Sequence, residues 1–139
     1  MATLVRAGIS EKNRYWIEKH RYYELKHFCL QYPVWKKAYL ALDGLSRRPA
    51  DLAMFIRESS VGDPTAKCAE AKVFYSERMG MVERTAAETD AGLDGYILKA
   101  VTDGVSYEQL KARLGIPCCK DVYYRLYRRF FWLLNKERR

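Results

Sequence analysis

The sequence predicts an all-α protein. Bulky apolar and aromatic residues recur at intervals of three and four along much of the 139-residue chain, which is the spacing of one face of an α-helix. No alternating run is long enough to predict a sheet. Prolines, glycines and capping residues divide the pattern into segments of helical length. Hydrophobic residues make up 49% of the chain, so these segments can bury a core.

Aromatic residues dominate the N-terminal region. We expect a helix that begins at Glu11 and ends at Pro33, because proline lacks an N–H and restricts the residue before it. A second helix is expected over about residues 34–45. Residues 46–62 contain a proline, two adjacent serines and a glycine, and this composition is typical of a linker.

A strong helix start follows the linker. Asp63 can cap the first amides of a helix, and Pro64 suits the first helical position. This long helix is expected to reach about Asp90, and a shorter one is expected over about residues 93–102. An apolar stripe runs along the long helix and predicts either a core face or a helix pair between subunits; it consists of Tyr75, Met79, Val82 and Ala86.

The linker divides the chain into an N-terminal helical region, residues 1–62, and a second region, residues 63–139. The formal net charge is +8. Residues 117–139 carry seven basic and two acidic side chains, and such an excess favours a polyanionic partner. The alternative is a solvated basic helix face.

The second region contains the pattern of a helix-turn-helix. Ser106 and Gln109 are three residues apart, which predicts a capping box at the start of a helix. Leu110 and Leu114 are expected on its buried face. Gly115 suits a left-handed turn.

The chain after this glycine is expected to form the second helix. Ile116 should point into the core, and Pro117 should begin the helix. Val122 and Leu126, four residues apart, are expected on its buried face. A fixed angle between two such helices lets the second one enter the major groove of DNA.

These residues carry a resemblance to known proteins. The segment SYEQLKARLGI resembles the first helix and turn of region 4 of bacterial sigma factors, and VYYRLYRR resembles the recognition helix of that region. Two departures are present: Lys111 stands where such first helices usually have alanine, and the turn is one residue longer.

Residues 12–136 as a whole resemble the small phage and prophage late-transcription regulators of the RinA/ArpU type. The matching motifs lie at residues 30–36 (LQYPVWK), 63–65 (DPT), 104–110, 115–118 and 123–134. The resemblance implies a regulator that binds double-stranded DNA at a phage promoter and activates late genes. RNA polymerase is a candidate partner, and a homodimer would read a two-fold site.

Candidate DNA contacts follow from position on the second helix. Residues in its first turns reach base edges, and we expect this of Lys120, Asp121, Tyr123 and Tyr124. For Tyr123, packing in the core against Tyr127 and Phe130 is an equal alternative. Phosphate contacts are expected from residues further along the helix and on the first helix, namely Tyr107, Lys111, Arg125, Arg128 and Arg129. The apolar run at residues 130–134 is expected to be mostly core, with an exposed part for a partner.

Catalytic and metal-binding patterns are lacking in the sequence. It has no Walker motif, no HExxH and no Ser-His-Asp arrangement, so we expect neither an enzyme nor a cofactor. The four cysteines lack zinc spacing and are expected to be free thiols, with the pKa of Cys118 or Cys119 lowered by a helix dipole. His20 and His27, seven residues apart on one helix face, are expected at the surface or partly buried, with a metal pair as the alternative. No apolar secretory or membrane-spanning segment is evident, which predicts a cytoplasmic protein without a membrane partner.

Two alternatives to the regulator remain open. One is a phage-encoded interaction protein that binds RNA polymerase or another host protein without reading DNA. The other is the small subunit of a phage terminase, which would form a closed ring.

Overall fold

The computed structural model describes residues 12–45 and 64–138, and all regular structure in these two stretches is helical. The all-α prediction is therefore confirmed. The predicted linker and the Asp63 cap lie outside the described residues. The helices are α1 (Lys19–Leu30), α2 (Tyr32–Leu45), α3 (Pro64–Thr89), α4 (Asp94–Asp103), α5 (Tyr107–Leu114) and α6 (Lys120–Glu137).

The chain divides into two compact units. Among the described residues, the first unit contains those up to Gln31 and those from Met81 onward, and the second unit contains Tyr32–Gly80. This division differs from the predicted one at residue 62, because α3 contributes residues to both units. The candidate DNA-binding residues all lie in the first unit.

The first unit is built on packing between helices distant in sequence. Helix α1 packs against α4 and α6, and α4 also packs against α5. Phe130, Phe131 and Leu134 are at most 1% exposed, so the prediction that residues 130–134 are mostly core is confirmed. Full burial of each such side chain stabilises the fold by roughly 1.5–3 kcal/mol. These residues fix α6 against α1 and α4.

Helix α1 begins later than the sequence predicted. The expected start was Glu11, whereas the helix starts at Lys19. Asn13 holds the preceding chain in a turn, since its side chain accepts a hydrogen bond from the Tyr15 amide at 2.9 Å. Such local bonds compete with helix formation. The Glu18 carboxylate then caps α1 by accepting from the amides of His20 and Arg21, and these bonds lower the pKa of Glu18.

Helix α1 ends before Pro33, as predicted. Helix α1 ends at Leu30, with Gln31 as its C-cap. Helix α2 begins at Tyr32, slightly before the expected residue 34. Pro33 is therefore in the first turn of α2, where its missing N–H has no intrahelical partner to lose.

The second unit contains α2 and the first part of α3. Trp35, Leu42 and Cys68 are buried, and the Cys68 thiol lies 3.9 Å from the Leu42 carbonyl oxygen. Four large apolar side chains of this unit are exposed by 45–65%: Val34, Leu40, Val73 and Phe74.

The predicted apolar stripe on α3 is more deeply buried toward the C-terminal end of the helix. Val82 and Ala86, in the first unit, are at most 1% exposed. Tyr75 and Met79, in the second unit, are only half-buried. The core interpretation is thus confirmed for the end of the stripe.

No helix in the described part of the chain is long and apolar enough to cross a bilayer.

Candidate nucleic-acid interface

Helix α5 begins with the predicted capping box. The Ser106 hydroxyl accepts a hydrogen bond from the Gln109 amide at 3.3 Å, and the Gln109 side chain accepts one from the Ser106 amide at 3.0 Å. Both bonds satisfy amides that the helix itself leaves unpaired. The start of α5 is therefore fixed by two side chains three residues apart.

Gly115 ends α5 in the left-handed conformation, with φ of 63° and ψ of 42°. Its amide donates to the Leu110 carbonyl. Leu110 and Ile116, on either side of the corner, are fully buried, as the sequence predicted. The expected burial of Leu114 is wrong: this side chain, at the last residue of α5 before the glycine corner, is 49% exposed.

The second helix of the motif begins three residues later than predicted. Pro117 was expected to start it, but Pro117 and Cys118 form a bend and α6 starts at Lys120. Cys119 is the N-cap, with extended backbone. The Tyr107 hydroxyl donates to the Cys118 carbonyl at 2.7 Å, and this bond ties α5 to the connecting turn.

The buried face of α6 is rotated from the predicted one. Val122 is only half-buried, whereas Tyr123 is 2% exposed. The Tyr123 ring lies 5.3 Å from that of Tyr107 and 5.9 Å from that of Tyr127, and burial raises its pKa. Of the two interpretations of Tyr123, the structure supports packing in the core and not base contact. The buried face comprises Tyr123, Leu126, Tyr127, Phe130, Phe131 and Leu134.

The opposite face of α6 is polar and accessible. Asp121, Arg125 and Lys136 are exposed, and Trp132 is half-buried. Successive members are separated by four, seven and four residues, a spacing that places them on one side of a helix. Asp121 and Arg125 thus project outward from the first turns, as base readout requires.

Lys120 lies at the side of this face in a charged pair. Its Nζ is 3.0 Å from Glu108 Oε1 on α5 and 5.8 Å from the centre of the Tyr124 ring. The pair raises the pKa of Lys120; the pKa of Glu108 is lowered by its own backbone amide first and then by Lys120. Both side chains are about half exposed, so a ligand can reach them.

Tyr124 is a partly accessible base-contact candidate. The residue is half-buried, and its hydroxyl is enclosed without a hydrogen-bond partner among the described residues. An unsatisfied hydroxyl of this kind costs roughly 1–3 kcal/mol. In this conformation the hydroxyl is therefore not accessible to a base.

The predicted phosphate contacts have different surroundings. Arg125 and Lys111 are exposed, although the Lys111 ammonium lies 3.5 Å from the Ile116 carbonyl. The Tyr107 hydroxyl already donates a hydrogen bond to the Cys118 carbonyl in the turn, so this proton is not available to a phosphate. Arg129 and Arg128 are half-buried; Arg129 Nη1 lies 3.5 Å from the Tyr15 hydroxyl, and Arg128 Nε is buried without a partner among the described residues.

Sequence reasoning missed two features of this region. One is Glu108, whose charge acts on Lys120 from a different helix; its position two residues after the cap was the only local signal. The other is a group of cations and rings at the far end of α6. Lys136 Nζ lies 3.4 Å from the centre of the Trp132 ring, and that ring lies 5.5 Å from Tyr15.

The described cysteines and histidines do not form a metal site. Within the residues that the structure describes, no group of three His, Cys, Asp or Glu side chains is placed to hold a metal ion. All four cysteines are free thiols, as predicted. The expected effect of a helix dipole on Cys118 is wrong, because burial, followed by the neighbouring Cys119, raises its pKa. His20 and His27 are exposed.

Comparison with known proteins identifies no relative. No protein-family model, curated protein or solved structure matches the chain.

Proposed function

We propose that this chain is a sequence-specific DNA-binding transcriptional regulator that reads the major groove with the first turns of α6. One observation carries the proposal: α6 is locked on one side into the core by its aromatic face, while Lys120, Asp121 and Arg125 face outward just after a fixed glycine corner. A recognition helix needs this combination of rigid support and projecting polar side chains.

Each outward residue has a matching group on DNA. The Lys120 ammonium suits the guanine O6 and N7 acceptors, and the Asp121 carboxylate suits the cytosine N4 donor. Arg125 follows one turn after Asp121 and suits a phosphate at the edge of the groove. Tyr123 is not part of the proposed surface.

The resemblance to RinA/ArpU-type regulators extends this proposal to a biological setting. On that basis the chain is a phage or prophage regulator of late genes that acts in the host cytoplasm. Contact with RNA polymerase and dimerisation on a two-fold site belong to the same proposal. A terminase small subunit uses similar chemistry on DNA, and a ring-shaped oligomer would favour it.

A second candidate function has an observation of its own. Val34, Leu40, Val73 and Phe74 are each exposed by 45–65% in the second unit, and exposed apolar side chains are typical of surfaces that bind proteins. On this alternative the chain binds RNA polymerase or another host protein and does not read DNA.

Fluorescence anisotropy with DNA fragments tests the proposed function. We expect Lys120→Ala to weaken binding to a selected fragment by about 1–3 kcal/mol, or roughly 5- to 150-fold, because one base contact is lost. Binding to random competitor should fall much less. Lys99→Ala is the matched control, since Lys99 is also half exposed and paired with a carboxylate, Asp103, at 2.9 Å.

The outcomes separate the two candidates. Tight binding to one fragment that Lys120→Ala weakens by this factor and Lys99→Ala preserves supports the regulator. Equal losses on selected and random DNA would remove Lys120 from base readout. Binding by the natural protein that never exceeds the competitor would overturn the DNA-reading function and leave the protein-partner alternative.

A further inference from the structure

A second basic surface lies at the far end of α6, beside the segment that precedes α1. We call it the aromatic–basic surface, and it consists of Arg14, Tyr15, Arg129, Trp132 and Lys136. Its two rings meet edge to face, with centres 5.5 Å apart and planes at 61°. The rings join residues that are more than one hundred positions apart in the sequence.

The three cations of this surface contact neutral aromatic side chains. Arg14 lies 5.1 Å from the centre of the Tyr15 ring, and Lys136 lies 3.4 Å from that of Trp132. Arg129 approaches the Tyr15 hydroxyl at 3.5 Å. A ring orients a cation without cancelling its charge, so the positive charge stays available to an anion.

Four other cations of the same unit are paired with carboxylates. Arg21, Arg84, Lys99 and Lys120 each lie beside a carboxylate, which offsets their charge. On the aromatic–basic surface, by contrast, the three cations are oriented by aromatic side chains and keep their charge. This difference singles out an anion-binding surface and not only a solvated helix face.

The position of the surface along α6 identifies its ligand. With a rise of 1.5 Å per residue, Trp132 and Lys136 lie about 18 and 24 Å beyond Lys120 along the helix axis. The major groove is only about 12 Å wide. If the first turns of α6 read base edges, residues this far along the helix lie outside the groove and over the sugar–phosphate backbone.

We propose that the aromatic–basic surface binds the phosphates of the duplex flanking the site that the start of α6 reads. The proposal rests on the proposed DNA binding and adds a second contact region, in which the segment before α1 takes part through Arg14 and Tyr15. Trp132 and Lys136 share the outer face of α6 with Asp121 and Arg125, so the two regions form one continuous surface. Its charge is complementary to phosphate.

The test compares duplexes of two lengths. Both contain the same selected site, one within about 10 bp and the other within about 20 bp, or roughly one and two helical turns. The natural protein should bind the longer duplex more tightly, because only that duplex supplies the flanking phosphates. The variant Arg14→Gln, Arg129→Gln, Lys136→Gln should lose this gain while keeping its preference for the selected site.

Salt dependence gives the expected magnitude. Each phosphate contact contributes about 0.9 to the slope of log affinity against log salt. Three lost contacts should therefore reduce the slope on the longer duplex by roughly 2.7. Between about 50 and 200 mM salt, the natural protein should lose roughly 40-fold more affinity than the variant does.

A charge-matched control excludes a general effect of net charge. The variant Lys36→Gln, Arg84→Gln, Lys99→Gln removes the same number of charges from outside the surface and should retain the length dependence. Thermal unfolding of both variants checks that each is folded. Fluorine NMR of fluorotryptophan-labelled protein adds a direct readout: the Trp132 signal, assigned by Trp132→Phe, should shift with the longer duplex only, while that of buried Trp35 should not.

The outcomes distinguish this inference from the proposed function. If the triple variant keeps its site preference and has the same salt slope as the natural protein, phosphate binding by the aromatic–basic surface is overturned. Site-specific DNA reading would then still stand. If the natural protein prefers no site but the triple variant has a smaller salt slope than it does, phosphate binding by the surface is supported and site-specific reading is overturned. A Trp132 signal that shifts only with an acidic protein partner, and not with DNA, would also overturn the inference.

Discussion

Gly115 shows how one residue can decide the geometry of the candidate interface. An alanine Cβ at this position would meet no atom within 4 Å, so space does not require glycine there. The requirement is conformational, since φ is +63° and a residue with a Cβ pays roughly 1–2 kcal/mol for that conformation. We therefore expect Gly115→Ala to lower the free energy of unfolding by about that amount.

Gly95→Ala is the matched control for this prediction. Gly95 also has open space around its missing Cβ, but it lies in α4 without a positive φ. Alanine is favoured over glycine in helices, so Gly95→Ala should leave the stability unchanged or raise it. Urea unfolding of both variants provides the measurement. Equal effects at the two sites would show that the left-handed corner is not what Gly115 supplies.

At the residue scale, the sequence predicted the corner better than the orientation of α6. Ser106, Gly115 and Ile116 carry local signals, because caps and left-handed turns depend on a few adjacent residues. The burial of Tyr123 in place of Val122 depends on contact with rings on other helices. A tyrosine ring buries more area than valine does, so the aromatic residues set the rotation of the helix.

At the scale of elements, the bond from Tyr107 to Cys118 connects α5 to the start of α6. A hydrogen bond of this kind contributes about 0.5–1.5 kcal/mol to stability. We expect Tyr107→Phe to lower the free energy of unfolding by that amount and to weaken site-specific DNA binding, because the turn that positions Lys120 becomes looser. Urea unfolding and anisotropy give the two readouts.

Tyr96→Phe, in α4, is the control for this change. The Tyr96 ring is half-buried, and no hydrogen bond of its hydroxyl is seen within the described residues. Loss of the Tyr96 hydroxyl should change neither the free energy of unfolding nor the affinity for DNA. If Tyr107→Phe behaved in the same way, the hydroxyl would have no role in holding the turn.

The bounds of the elements were predictable where local signals were unopposed. The end of α1 before Pro33 and the capping box of α5 followed from a few adjacent residues. Pro117 is a good first helical residue in isolation, but the Tyr107 hydroxyl holds the Cys118 carbonyl and the extended Cys119 delays the helix to Lys120. A contact from the preceding helix thus overrode a local preference.

At the scale of the whole molecule, buried phenols make the first unit sensitive to high pH. Burial raises the pKa of Tyr22, Tyr123 and Tyr127 and that of the Cys29 thiol. In the unfolded chain the tyrosines have their ordinary pKa of about 10 and the thiol has its ordinary pKa of about 8.5. The unfolded state then binds fewer protons than the folded state, so stability falls as pH rises.

We therefore expect the free energy of unfolding to decrease steadily from about pH 9 upward. Urea unfolding at a series of alkaline pH values measures it. Tyr127→Phe removes one buried ionisable group and should give a shallower decrease than the natural protein. A stability that stays constant to pH 11 or so would contradict the burial of these phenols.

The division into two units was beyond prediction from sequence patterns. It depends on contacts such as that of Arg21 Nε with Asn135 Oδ1, 2.7 Å apart across 114 positions. Periodicity and capping report on neighbouring residues only. The linker at residues 46–62 therefore suggested a boundary that the packing of α1 on α6 does not follow.

The same long-range contact has a consequence for synthesis on the ribosome. Helix α1 ends at residue 30 and its partner α6 begins at residue 120, so the two are made roughly 90 residues apart, or about 5–20 seconds at usual elongation rates. During that interval the apolar side chains of α1, among them Leu25 and Phe28, lack the surface that later covers them. Closing so long a loop is also entropically costly. The nascent chain should therefore be a better chaperone client than the finished protein, and the proposed DNA binding should begin only after α6 has left the exit tunnel.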